Sequence, residues 1–94
     1  GRFEEAKKAY EQALRLQEDH PGIHNNYAML LMRMGDRQGA VKHFREALRL
    51  QPAYANAHYR LSIIFREKGD AAAAAAHLRS AIEINPEFKD MTEK

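Results

Sequence analysis

The sequence predicts an all-α chain, an α-solenoid of antiparallel helix hairpins. Three observations carry this reading. Gly1, Gly35 and Gly69 stand 34 residues apart, and Ala6, Ala40, Ala74 and Ala13, Ala47, Ala81 keep the same step. Gly35-Asp36 and Gly69-Asp70 are paired punctuation between helices. Pro52 and Pro86, again 34 apart, close a Leu-Gln and an Ile-Asn end. One period shared by glycines, alanines and prolines means one helical unit written nearly three times. Each unit of such an array needs only its neighbours to bury its apolar face.

The punctuation sets the helices. Glycine takes the left-handed residue that ends one helix, and the following Asp accepts the free amide hydrogens that start the next. So short a connection forces an antiparallel pair. Proline cannot continue a helix and separates one hairpin from the next. In the first unit Glu18 stands where that proline would be, and Pro21 falls at a first-turn position. The expected helices cover 2–17, 21–34, 37–50, 54–68 and 71–84. Residues 87–94 either begin a sixth helix or form a frayed end, with Phe88 and Met91 placed to cover the last hairpin.

Within the second helix of each unit the apolar stripe alternates small with large. Ala6, Ala40 and Ala74 are followed by Tyr10, Phe44 and Leu78, then by Ala13, Ala47 and Ala81, then by Leu14, Leu48 and Ile82. That is a 3.6-residue period, and its alanines mark the closest approach of two helix backbones. In the other helix type, Tyr27, Leu30, Leu31 and Met34 are matched by Leu61, Ile64, Phe65 and Lys68, with Ala28 and Ser62 as the small residues. Ala71 to Ala76 reads as helix, because alanine is the best helix former and Ala74 is in register with Ala40. Its small side chains leave the last hairpin thinly packed. Glu4 with Lys8 and Glu11 with Arg15 are i,i+4 pairs that mark a solvated face.

Composition narrows the function. The 94 residues contain no Cys and no Trp, which excludes disulfides and cysteine-based metal sites. No apolar run approaches the ~20 residues of a membrane span. Net charge is +2 with 30% charged residues, too mild and too mixed to indicate nucleic acid or a membrane surface. The start of the chain lacks the apolar stretch of a secretory leader, so the expected compartment is the cytoplasm.

The period of 34, the small residues Ala28/Ser62, Ala40/Ala74 and Ala47/Ala81, the large residues Phe44/Leu78, and Pro52/Pro86 resemble the tetratricopeptide repeat over essentially the whole chain. His24 and His58 stand where that family often has Trp, and Ala71 replaces a usual aromatic. The resemblance implies a right-handed superhelix of about two and a half repeats. On that register 1–20 is the second helix of a truncated repeat, 21–54 and 55–88 are full repeats, and 89–94 is a tail or the start of a further helix.

In tetratricopeptide proteins the first helix of each hairpin lines a concave groove that receives an extended peptide. By register the groove residues here are Asn25, Asn26, Met29, Met32 and Arg33 on one helix. Asn56, Tyr59, Arg60, Ile63, Arg66 and Glu67 follow on the next. Asn pairs with a peptide backbone as donor and acceptor, and Arg holds a carboxylate through two parallel bonds. Tyr and Met add adaptable apolar contact. Three arginines against one glutamate bias this face toward an acidic segment or a free C-terminal carboxylate. A narrower resemblance links Asn26 and Arg60 to domains that clamp acidic chaperone tails, with Asn56 where a Lys would be expected.

The histidines repeat as well. His24 and His58 share a register one repeat apart, which allows them to approach each other. No carboxylate or Cys completes a ligand set, so they read as half-buried packing residues and no metal is expected. His43 and His77 read as partly solvated. His20 and His24 are separated by a helix start at Pro21 and do not form a zinc pair.

No nucleophile–base pair and no phosphate loop is present, so neither catalysis nor a cofactor is expected. RNA-reading hairpin repeats run at 35 and are set aside on the strict 34. The expected function is a protein-interaction scaffold that binds an extended or acidic peptide. The alternatives are the substrate-recognition arm of a larger enzyme, such as a protein glycosyltransferase, or self-assembly into a homo-oligomer through the exposed repeat ends.

Overall fold

In a computed structural model, residues 1–17 and 19–92 are described. They form six helices and, among the described residues, no strand. These are α1 (Arg2–Leu16), α2 (Pro21–Arg33), α3 (Arg37–Leu50), α4 (Ala55–Glu67), α5 (Ala71–Ile84) and α6 (Glu87–Thr92). The expected helices match within one or two residues, and a short sixth helix forms at the end. Glu18, the residue replacing a separating proline, lies outside the described residues, as do 93 and 94. The chain divides into two compact units, Gly1–Pro52 with α1 to α3 and Ala53–Lys94 with α4 to α6.

Both glycine–aspartate turns act as the sequence anticipates. Gly35 has φ +85° and Gly69 has φ +86°. The Gly35 amide bonds the Met32 carbonyl at 3.0 Å and the Asp36 amide reaches back to Leu31 at 2.8 Å. Gly69 and Asp70 repeat this on Arg66 and Phe65. Each Asp then caps the next helix: Asp36 Oδ1 accepts from the Gly39 amide at 2.9 Å, and Asp70 Oδ1 from Ala73 at 3.1 Å. Gly35→Ala is expected to cost the first unit about 1–2 kcal/mol, because a Cβ at positive φ crowds its own carbonyl. Urea unfolding checks this. No neighbouring atom stands within 4 Å of such a Cβ, so the loss is one of backbone conformation alone.

The core of the first unit is the seam between α2 and α3. Ala28, Ala40, Phe44 and Ala47 are fully buried there, with Tyr27 and Leu31 nearly so. Small residues let the two backbones close, and Phe44 fills the gap between the two alanine levels of α3. In the second unit Ala57, Leu61, Ile64 and Ala81 are fully buried, with Phe65 and Ala74 at 8% exposure. Leu78, at the Phe44 register, is only half-buried, as the thin alanine packing of α5 implies.

Helix α1 contributes no buried residue: Ala6, Tyr10, Ala13 and Leu14 are half-buried. It is held to the rest of its unit through Tyr27. The Tyr27 ring stacks on Tyr10 at 5.7 Å, and its hydroxyl donates to Glu11 Oε2 at 3.2 Å. Burial first, and then the Glu11 carboxylate, push the Tyr27 phenol up to about 12. The spacing-based pairing of Glu11 with Arg15 misses this role. An ion pair that the spacing did not single out forms on α3, where Arg49 grips Glu46 at 3.1 Å and holds its carboxyl below the usual range.

Candidate functional site

Within the first unit, α1 and α2 enclose a cleft of about 300 Å³ lined by Ala6, Tyr10, Asn26, Met29, Leu30 and Arg33. Three residues assigned to a groove by register therefore meet in one hollow. Asn26 and Arg33 are exposed on α2, seven residues apart, hence two helical turns and on one face. Met29 is half-buried between them. The small Ala6 leaves room, and the Tyr10 ring forms the α1 side. The Arg33 guanidinium lies 5.9 Å from the centre of the Phe3 ring, which steadies it while leaving it charged and accessible. The hollow thus combines an amide, a guanidinium and an apolar floor.

A larger hollow of about 530 Å³ sits at the turn between α1 and α2, lined by Arg15, Leu16, Gln17, Asp19 and His20. It is wide open, and Leu16 is 79% exposed. Leu16 is the one apolar residue in that lining, so the smaller cleft is the better-formed site.

One assignment on α2 is corrected. Asn25 was expected to line the open face, but it is 3% exposed and its Nδ2 donates to Met29 Sδ at 3.7 Å. Its register carries it toward the hairpin interior, one position away from the exposed Asn26. Met32 is half-buried.

The remaining candidates belong to α4 in the second unit. Tyr59 is not an open aromatic platform: α6 lays Phe88 against it, with ring centroids 4.8 Å apart. The sequence placed Phe88 over the last hairpin, and this contact is how it does so. Arg60 is half-buried, with its guanidinium 5.8 Å from the Tyr59 ring, and its Nε is buried with no hydrogen-bond partner among the described residues. Asn56 and Ile63 are half-buried, and Arg66 and Glu67 are exposed. Ser62 donates its hydroxyl to the Tyr59 carbonyl at 2.5 Å, which satisfies the small polar residue of this helix.

The histidines are arranged differently from the expectation. His24 pairs with His43 inside the first hairpin, Nδ1 to Nδ1 at 3.0 Å. His58 pairs with His77 inside the second at 3.1 Å. His43 and His77 are half-buried, in keeping with the partly solvated positions expected of them. The partner of each α2 or α4 histidine lies 19 residues on, across its own hairpin, because the helices run antiparallel. His20 stands apart from both pairs and caps α2, where its Nδ1 accepts from the Ile23 amide at 3.2 Å. Among the described residues no group of three or more metal-ligating side chains converges, and no helix is long and apolar enough to cross a membrane.

Comparison with known proteins agrees with this architecture. No curated protein sequence matches the chain. Among solved structures, the crystal structure of MamA superposes with a TM-score of 0.86 at 16% identity, covering 95% of this chain and 52% of that one. At that identity the likeness is one of fold, and the chain spans about half the length of MamA. Family models for the tetratricopeptide repeat match residues 28–87 and residues 1–42. The 34-residue period, the buried alanine seam and these matches lead to one conclusion: the chain belongs to the tetratricopeptide repeat family.

Proposed function

We propose that this chain binds an acidic peptide segment, with the α1–α2 cleft of the first unit as its principal contact. Tetratricopeptide repeats serve as protein-interaction scaffolds and are typically not catalytic. The observation that carries the finer reading is the meeting of Asn26, Met29 and Arg33 in one cleft. An exposed amide offers the two bonds an extended backbone seeks. Arg33 offers a fork for a carboxylate, and Met29 with Tyr10 supplies an adaptable apolar wall. The volume suits a few side chains of a peptide rather than a folded surface.

In the second unit, Arg60 adds a guanidinium whose buried Nε–H has no acceptor among the described residues. The terminal nitrogens of that guanidinium are the fork it offers to a ligand carboxylate. Asn56, Ile63 and Arg66 are the further contacts proposed on α4. Tyr59 acts by holding Arg60 in place rather than by stacking on a ligand.

Fluorescence anisotropy with a labelled acidic peptide tests the reading. The peptide is used in an acidic form with its carboxylates free and in a neutral form with those carboxylates replaced by amides. The acidic form is expected to bind, and Asn26→Ala is expected to weaken it about fivefold to tenfold, the worth of about one hydrogen bond. Equal binding of acidic and neutral peptides, or no effect of Asn26→Ala on a chain of unchanged helicity, would remove the proposal.

A further inference from the structure

We infer that each hairpin is closed by a one-proton histidine latch, His24–His43 in the first unit and His58–His77 in the second, and that acidification opens it. The latch is a matter of geometry. The ring centroids are 5.3 Å apart in the first pair and 5.4 Å in the second. In both, that distance exceeds the Nδ1···Nδ1 separation of 3.0 or 3.1 Å by about two ring radii. The two nitrogens therefore lie on the line joining the ring centres and face each other head to head. One of them must carry the hydrogen and the other must be bare. A metal does not fit on this line. Two bonds of roughly 2.0 Å would need the nitrogens about 4 Å apart, and a tetrahedral ion would need them aimed at a common point off the line.

The arrangement accepts one positive charge but not two. An imidazolium can donate through Nδ1 to a neutral partner. A second proton puts two N–H groups nose to nose at hydrogen-bond distance, with no acceptor between them. The unfolded chain takes up both protons. The folded hairpin thus holds one fewer, and stability falls as the pH drops below the ordinary histidine range.

Aromatic lids make the constraint stricter. Tyr27 packs 4.6 Å from His43, and Phe65 stacks on His77 at 5.7 Å with planes 6° apart. His24 itself is 8% exposed. Water therefore has little access to the His24 ring. Burial first, and then His24 and Lys42, hold His43 below its ordinary value, against the opposite pull of Glu46 and Asp36. A group depressed in this way contributes stability above about pH 6.5 and loses it as the pH falls toward its folded value.

The charges around the two pairs differ. From α1, Glu11 and Glu4 act on Tyr27. Around the second pair, Ser80 and Ala76 stand at the registers of Glu46 and Lys42, while Asp70 repeats Asp36. The Lys68 ammonium lies 5.7 Å from the centre of the Phe65 ring. Helix α6, packed on α5, carries Glu87, Lys89 and Asp90.

The test is urea unfolding of the whole chain between pH 8 and pH 5, followed by helical circular dichroism, beside His43→Gln/His77→Gln. The folded-to-unfolded ratio of the wild type should fall about tenfold per pH unit for each hairpin below the histidine range, one proton each. The double variant should be nearly flat. A variant as steep as the wild type overturns the latch. If the variant does not fold, ring nitrogen-15 NMR of the wild type decides. At pH 7.5 each pair should show one Nδ1–H and one bare Nδ1, and doubly protonated pairs should appear only as the amide signals collapse. Four fully protonated rings in a chain with native amide signals would refute it.

Discussion

Phe44→Ala is expected to lower the stability of the first unit by about 3–5 kcal/mol, enough to unfold most of it at room temperature. Phe44 has no exposure and sits between Ala40 and Ala47, both also at zero. None of these neighbours can move in to fill the space, since alanine has no side chain to rearrange. The void persists and its cost adds to the lost burial. Leu78→Ala at the matching position of the second unit is the internal control. Leu78 is half-buried on an alanine-rich helix, so roughly 1–2 kcal/mol is expected. Urea midpoints of the two variants check the contrast. Equal losses would mean that burial at this register does not set the stability of a hairpin.

The second large effect is on binding. Arg33→Glu is expected to weaken an acidic peptide by about tenfold to a hundredfold, and to leave the neutral form of the peptide unchanged. A charge-assisted bond is lost and a like-charge contact replaces it. Arg33 is exposed and its guanidinium lies over the Phe3 ring at 5.9 Å, an exposed contact whose loss the fold should tolerate. Because the contact is open to water, wild-type affinity should fall with added salt and that of the variant should fall less. Anisotropy titrations at low and high salt measure both. Loss of affinity for the neutral peptide as well would point to damage of the cleft, not to a lost charge contact.

Much of the architecture is legible in the sequence. The glycine–aspartate turns are local chemistry: a positive φ and an Asp cap need only the residues within one turn. The alanine register marks the seam because only small side chains let two helix backbones approach. Asn26, Met29 and Arg33 fall on one face by helical spacing alone, and the structure collects them in one cleft.

Other features depend on which side chain meets which across the hairpin. Asn25 differs from Asn26 by one residue, or about 100° of rotation, and that turns an expected ligand contact into a buried residue. Glu11 has the spacing of half a surface ion pair and instead receives the Tyr27 hydroxyl. Tyr59 has the register of an open aromatic, but α6 lays Phe88 on it. The Glu11 and Tyr59 contacts cannot be read from spacing along one helix, because each partner comes from another.

The histidines show the division most clearly. By itself the sequence determined that His24 and His58, like His43 and His77, repeat with the 34-residue unit, since register is a property of the chain. Only the tertiary structure decided that the pairs run across each hairpin, nitrogen to nitrogen. The physical reason is that antiparallel packing joins residues 19 apart, and ring orientation at about 3 Å is set by the lids above them.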